Sequence, residues 1–113
     1  MARKTRMHRD RIRGRVDAEV AGRGPRLGHL VDISMGGIGL SGSHDALAGF
    51  ERGRICLRLP WEMAGRQEVE MEVERTWLRR TGAGRAHAGY YINRCDDADQ
   101  QALEHLVNRF AEE

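Results

Sequence analysis

Apolar and polar residues alternate at a period of two along most of the chain up to residue 92, a pattern typical of half-buried β-strands. Clusters of glycine and proline separate the alternating segments and are typical of turns. We therefore predict six strands, over residues 15–21, 26–34, 37–41, 53–59, 67–80 and 85–92.

Three local features refine this prediction. Pro60 is expected to end the fourth strand, because proline has no N–H to donate to a ladder. In the fifth and longest strand, glutamates from Glu68 to Glu74 alternate with apolar residues and predict a solvated face. Arg75 then takes an inward position, which predicts a bulge near Arg75–Thr76. Residues 43–51 are mixed in character and predict a loop with a short turn.

The period changes after residue 93. Leu103, Leu106, Val107 and Phe110 fall at i, i+3, i+4 and i+7, which predicts an amphipathic helix over about residues 96–111. Asp96 or Asp97 would cap its N-terminus. Six short strands and one terminal helix predict a mainly β fold: a six-stranded antiparallel β-barrel with one C-terminal α-helix packed on it. This domain would span residues 15–113.

The formal net charge of +2 hides an uneven distribution. Residues 1–14 have no apolar periodicity and predict a flexible arginine-rich arm. The first fifteen residues hold one acidic residue, Asp10, against a basic set of Arg3, Lys4, Arg6, Arg9, Arg11, Arg13 and Arg15. Such a head favours an anionic partner: a nucleotide, a nucleic acid or a membrane surface.

Several other classes of protein are disfavoured. Cys56 and Cys95 form no CxxC motif, and the five histidines show no metal-ligand spacing, so we expect reduced thiols, no metal and no cofactor. The chain lacks an apolar run long enough to span a bilayer and lacks a GxSxG motif. We therefore expect a soluble, cytoplasmic protein that does not insert into a membrane and is not an enzyme.

The most informative stretch is Asp32-Ile33-Ser34-Met35-Gly36-Gly37, between the second and third predicted strands. Asp32 and Ser34 are two residues apart and share one face of a strand. A glycine pair is expected where φ is positive or where the backbone approaches another group closely. One interpretation is a hairpin turn stabilised by Asp and Ser side chains, which needs no ligand. The other is a binding site, in which the Asp32 carboxylate accepts hydrogen bonds from a guanine.

The order of these features resembles the PilZ domain family. That family has an RxxxR pair before its first strand, then (D/N)xSxxG, a six-stranded barrel and a C-terminal helix. Here Arg11 and Arg15 precede Val16, and the hexapeptide beginning at Asp32 matches the second motif at every fixed position. The strand ending at Trp77 and the segment Gly89-Tyr90-Tyr91-Ile92 are similar to later family strands. The resemblance covers nearly the whole chain.

The resemblance implies a receptor for cyclic di-GMP, a bacterial second messenger. It implies that ligand binding orders the N-terminal arm and that the signal passes to a protein partner in motility, exopolysaccharide or virulence control. The implied ligand-binding residues are Arg11, Arg15, Asp32, Ser34, Gly36 and Gly37. Arg9, Asp10 and Arg13 are secondary candidates, because Arg9 and Arg13 also satisfy RxxxR. Trp77 is a candidate for the partner surface.

Two alternatives remain open. A small β-barrel with a basic arm is also the shape of nucleic-acid-binding modules, although the chain has only two residues each of Trp, Tyr and Phe for base stacking. The other alternative is an adaptor that needs no ligand. Intact RxxxR and DxSxxG motifs argue against it, and we expect nucleic acid not to be the partner.

Overall fold

A computed structural model describes residues 16–111, except for the side chains of Phe110 and Ala111. Six strands and two helices follow one another along this range. In chain order they are β1 (Asp17–Val20), β2 (Arg26–Ile33), β3 (Gly37–Ser43), α1 (His44–Ala48), β4 (Arg52–Met63), β5 (Arg66–Gly82), β6 (Arg85–Arg94) and α2 (Asp97–Ala111).

The strands form a closed antiparallel barrel in the order β1-β2-β3-β6-β5-β4, which confirms the predicted fold class. The pairing of β1 with β4 closes the barrel, from Asp17 opposite Arg58 to Val20 opposite Ile55. The pairing of β3 with β6 joins strands that are distant in the sequence. Closure leaves the barrel without a free sheet edge, the feature that otherwise invites aggregation.

The core fills the barrel with inward side chains from all six strands. Alternation accounts for most of this core. The inward residues that are 2% exposed or less include Ile55 and Leu57 on β4, Val69, Met71 and Val73 on β5, and Ala86, Ala88 and Tyr90 on β6. The helix α2 covers one side of the barrel with Leu103 and Leu106, each 1% exposed. This contact confirms the predicted apolar stripe, apart from Phe110, whose side chain lies outside the described residues.

Two predictions about local structure are wrong, one about the end of a strand and one about a loop. Pro60 lies inside β4, which continues to Met63. The ladder between β4 and β5 is interrupted between Arg58 and Met63, so proline interrupts no regular pairing there. Residues 44–48 form the helix α1 rather than a turn within a loop. The Ser43 hydroxyl caps α1 by accepting from the Ala46 N–H at 3.3 Å, and the fully buried Leu47 packs into the core.

The apolar alternation predicted for β2 is also wrong in part. Strict alternation would place Leu30 on the same outward face as Asp32, but Leu30 is 3% exposed and pairs with the buried Leu40. A register shift follows between Leu30 and Asp32, so Val31 is the extra residue of a bulge. The bulge predicted near Arg75–Thr76 is confirmed, because the pairing of β5 with β6 shifts between Arg75 and Trp77.

The glutamate face of β5 is not simply solvated. Arginines of β4 pair with it in a ladder: Arg58 contacts Glu68 at 3.1 Å, Arg54 contacts Glu72 at 3.3 Å, and Arg52 contacts Glu74 at 3.8 Å. These are mostly exposed pairs and contribute little to stability individually. They do neutralise this side of the barrel.

A more buried ion pair attaches α2 to the hairpin of β4 and β5. Asp99 is 5% exposed, and its carboxylate accepts a hydrogen bond from Arg66 at 2.7 Å. None of the helices in residues 16–111 is long and apolar enough to cross a membrane.

We expect Arg66→Met to destabilise the fold by about 1.5–3 kcal/mol, because it leaves the buried Asp99 carboxylate without its charged donor. Urea denaturation would measure this as a lower midpoint. Arg26→Met is the matched control, since the Arg26–Asp17 pair is about half exposed on both sides and should cost less than about 1 kcal/mol. Equal losses in the two variants would contradict the assignment.

Because of the Cys56 thiol, we expect the free energy of unfolding to fall at alkaline pH. Burial, with a hydrogen bond to Glu68 at 3.2 Å, raises its pKa from an ordinary 9.0 to about 12. Between these values the unfolded chain loses the proton while the folded chain retains it, so the free energy of unfolding falls as pH rises. From pH 8 to pH 10 we expect a loss of roughly 1 kcal/mol from this group. Urea titrations should show a smaller decline in Cys56→Ala than in wild type; identical declines would contradict this.

Candidate functional site

The outer surface of the barrel carries an open cleft of about 470 Å³. It is built by the end of β2, the turn into β3, and the facing parts of β5 and β6. Its lining residues are Asp32, Ile33, Ser34, Gly36, Gly37, Ile38, Gly39, Thr76, Trp77, Gly89, Tyr90 and Tyr91. Four of the residues predicted from the hexapeptide, together with Trp77, are therefore brought into one cleft.

A row of four cross-strand neighbours organises the cleft. Asp32 on β2 is opposite Gly39 on β3, Gly39 is opposite Gly89 on β6, and Gly89 is opposite Trp77 on β5. The two central glycines leave the backbone uncovered by side chains of their own. The carboxylate and the indole stand at the two ends of this row.

Bulges give the two end residues their outward position. Without the shift at Val31, Asp32 would be opposite the buried Ile38 and would point into the barrel. Without the shift at Thr76, Trp77 would be opposite the buried Ala88 and would also point inward. With both bulges in place, Asp32 is exposed and Trp77 is 46% exposed.

The turn after Asp32 is held by its own hydrogen bonds. The Ser34 N–H donates to the Gly37 carbonyl at 2.9 Å, and the Ser34 hydroxyl accepts from the Gly36 N–H at 3.3 Å. The Ile92 N–H donates to the Gly36 carbonyl at 2.9 Å and fixes the turn against β6. The serine-stabilised turn is thus present, and it forms part of the cleft wall rather than excluding a site.

The two glycines of the turn do different things. Neither has a positive φ. A Cβ at Gly37 would lie 2.9 Å from the Tyr90 carbonyl oxygen, so glycine is needed there for close approach of two strands. A Cβ at Gly36 would meet nothing within 4 Å, so its missing side chain leaves open space at the cleft.

The Trp77 indole packs against the backbone of Gly89. A Cβ at Gly89 would overlap the indole Nε1, so only glycine allows this position of the ring. The Arg79 guanidinium lies over the same ring, 5.4 Å from its centroid. Trp77, Tyr91 and Met35 are the exposed large hydrophobic residues of the described chain, and all three belong to the cleft or to its turn.

The charge of the cleft is simple. Asp32 is the one charged residue among the described lining residues. Its carboxylate is an acceptor for N–H groups of a ligand, and the aromatic rings of Trp77 and Tyr91 offer flat apolar surface. Such a site can bind a planar heterocycle with N–H donors. No described lining residue is a cation, and the Arg79 guanidinium lies beside the lining, over the Trp77 ring.

The predicted arginines and Asp10 fall outside the described residues. Arg9, Asp10, Arg11, Arg13 and Arg15 all precede Val16, where the description begins. Val16 is buried, and its carbonyl accepts from the Leu30 N–H at 2.9 Å. The chain before Val16 therefore connects to the barrel next to Leu30, which is two residues from Asp32 along β2.

Sequence reasoning missed seven residues of the described lining: Ile33, Ile38, Gly39, Thr76, Gly89, Tyr90 and Tyr91. Gly39 could have been found, because it is two residues from Gly37 on the same strand face. Gly89 and Tyr91 could not be assigned from their own strand alone. Their place in the cleft depends on the pairing of β6 with β3, and no local pattern specifies that pairing.

A second cluster has the residue types of a metal site. The Cys56 sulfur and oxygens of Glu68 and Glu70 lie within 4.8 Å of one another. Arg58 contacts Glu68 at 3.1 Å and Arg54 contacts Glu70 at 3.6 Å, so guanidiniums already neutralise the carboxylates. The raised pKa of Cys56 also keeps the thiol protonated at neutral pH. These features favour a hydrogen-bonded cluster over a cation site.

Comparison with known proteins shows a likeness of fold. No family model and no curated protein matches the sequence. Among solved structures, the Bacillus subtilis inhibitor of motility MotI/DgrA matches with a TM-score of 0.63 and 22% sequence identity. The match covers 85% of this chain and 46% of that one, so the chain spans about half the length of that protein. At this identity the likeness shows a shared fold.

We expect Gly89→Ala to displace Trp77 from the floor of the cleft and to destabilise the fold by about 1–3 kcal/mol, because the new methyl group overlaps the indole. Thermal unfolding and acrylamide quenching of Trp77, in a Trp61→Phe background, would measure both effects. Gly82→Ala is the control on β5, since its Cβ would meet nothing within 4 Å. A Gly89→Ala protein with unchanged quenching would contradict this packing.

Proposed function

We propose that this protein is a cyclic di-GMP receptor of the PilZ type, that the ligand binds in the cleft, and that the bound state is recognised by a protein partner. The observation that carries the proposal is the meeting of Asp32, Ser34, Gly36 and Gly37 with Trp77 in one cleft. The chain segment with the RxxxR pair joins the barrel beside that cleft. These are the residues whose order resembles the family.

The ligand chemistry fits the described residues. A guanine presents N–H donors on its Watson–Crick edge, which Asp32 can accept, and a flat ring, which can lie in the cleft between the Asp32 carboxylate and the Trp77 indole. Glycine at position 89 is what allows the planar indole of Trp77 to lie so close to the sheet at one end of the cleft. The exposed indole of Trp77 offers an edge or a stacking surface beside it.

The phosphates of the ligand must be met by arginines from outside the described lining. Arg11 and Arg15 are the proposed pair, with Arg9 and Arg13 as the alternative register. Arginine can contact guanine O6 and N7 bidentately and can also pair with phosphate, and one such bidentate contact is worth about 1–3 kcal/mol. On this proposal the arm closes over the ligand and creates a new surface, a disorder-to-order switch.

An adaptor role is supported by two further observations. The fold is shared with an inhibitor of motility. The exposed Met35, Trp77 and Tyr91 offer residue types that are enriched at protein interfaces, directly at the edge of the cleft. The ladder of arginines and glutamates on β4 and β5, by contrast, is electrostatically paired, which disfavours that side of the barrel as a nucleic-acid surface.

The test is calorimetric titration of the full chain with cyclic di-GMP. We expect low-micromolar or tighter binding by wild type, and loss of at least about tenfold in affinity for Asp32→Ala and for the double variant Arg11→Ala/Arg15→Ala, because each removes contacts of roughly 1.4 kcal/mol or more.

Arg52→Ala/Arg54→Ala is the matched control. This variant also loses two arginine charges, but from exposed positions on β4, away from the cleft. It should bind cyclic di-GMP as wild type does. Equal losses in both double variants would indicate nonspecific attraction. No heat with cyclic di-GMP, but salt-sensitive binding to single-stranded nucleic acid, would replace the proposal with the nucleic-acid alternative.

A further inference from the structure

The residue before the bulge at Thr76 is an arginine, Arg75, which does not line the cleft. Arg75 is opposite Tyr90, a buried residue, and so occupies an inward position on β5. Its side chain turns to the end of the barrel that α1 occupies. There its Nη1 donates to the carbonyls of Leu47 at 2.8 Å, Ala48 at 3.1 Å and Phe50 at 3.5 Å.

These acceptors are the carbonyls at the C-terminal end of α1 and just beyond it. Such carbonyls have no partner inside a helix and carry partial negative charge, so they suit a guanidinium. Two more hydrogen bonds join β5 and β6 to the segment that follows α1. The Arg75 N–H donates to the Glu51 carbonyl at 2.7 Å, and the Tyr90 hydroxyl donates to the Phe50 carbonyl at 2.8 Å. Burial raises the pKa of Tyr90, which keeps this hydroxyl protonated.

The anchoring of Arg75 has a consequence two residues later. Arg75 is bonded to α1, and the extra residue of the bulge is the next one, Thr76, whose hydroxyl donates to the Gly89 carbonyl at 3.2 Å. Trp77 is then opposite Gly89 and lies in the cleft. An even register from Arg75 onward would place Trp77 opposite Ala88, on the inward face.

We infer that Arg75 is a positioning residue: by binding the C-terminal end of α1 it fixes the β5 bulge and thereby holds Trp77 on the outer face of the barrel, as a wall of the cleft. The effect on ligand affinity rests on the proposed function; the effect on Trp77 does not. The side chain contributes through geometry, since it reaches carbonyls of the loop and not the cleft itself.

The experiment compares Arg75→Met, Arg75→Lys and wild type by NMR without ligand, using the contact between the Trp77 indole and the Gly89 backbone as the readout. Arg75→Met retains an unbranched apolar side chain as far as the position of Nε but donates no hydrogen bond, and it should lose this contact. Arg75→Lys can still donate to the α1 carbonyls and should retain it. Arg58→Met is the control: it breaks ion pairs with Glu19 and Glu68 on the same sheet and should leave the contact unchanged.

Titration with cyclic di-GMP then gives the second readout. We expect Arg75→Met to bind at least about tenfold more weakly and Arg75→Lys to restore most of the affinity. If wild type itself does not bind, the proposed function fails, while the Trp77–Gly89 contact still decides this inference. Retention of that contact in a folded Arg75→Met protein overturns it. If Arg75→Met does not fold, Arg75→Gln takes its place. Glutamine is polar but too short to reach the carbonyls, and this variant is judged by the same contact between Trp77 and Gly89.

Discussion

The cleft depends on two irregularities in an otherwise regular barrel. Strict alternation would turn both Asp32 and Trp77 into the core, because each would pair with a buried residue of the neighbouring strand. One extra residue before each, Val31 and Thr76, reverses the direction of the side chain that follows. Bulges are a normal means of bending strands in a closed barrel. Here the two bulges flank the same pair of strands, and the residues that they turn outward face each other across Gly39 and Gly89.

The two central glycines connect this geometry to function. A side chain at Gly89 would displace the indole, and one at Gly39 would come within 3.2 Å of the Asp32 Cβ. The row from Asp32 to Trp77 is therefore consistent only with small residues at its centre. The backbone of β3 and β6 becomes the floor of a cleft whose ends are polar and aromatic. Strand pairing, rather than a binding loop, defines the shape of the site.

The sequence predicts the barrel well because six segments have a clear period of two and one has a period near 3.6. It predicts the β5 bulge because a charged residue, Arg75, falls at an inward position. It fails at Val31, because valine there continues the apolar alternation and nothing marks the extra residue. It fails at Pro60 for a related reason: proline is excluded only where a ladder is regular, and regularity is a property of the partner strand.

The sequence predicts the part of the site that one segment supplies and misses the part that depends on strand pairing. Asp32, Ser34, Gly36 and Gly37 are contiguous, so a motif can identify them, whereas Gly89 and Tyr91 enter the cleft through a pairing between distant segments. The arginines of residues 9–15 were predicted from a motif and remain a prediction, since the described chain begins at Val16.

On the proposed function, the charge of the cleft gives these arginines a specific role. The described lining contains one charge, and it is negative. An anionic ligand would be repelled by Asp32 unless cations accompany it, so Asp32 alone selects for a neutral or donor-bearing heterocycle. Val16 is bonded to Leu30, close to Asp32 along β2, so the basic segment joins the barrel beside the acidic end of the cleft. Recognition of the base by the barrel and of the phosphates by the segment before Val16 would then be separate steps. A protein partner could distinguish the free state from the bound state through the second step alone.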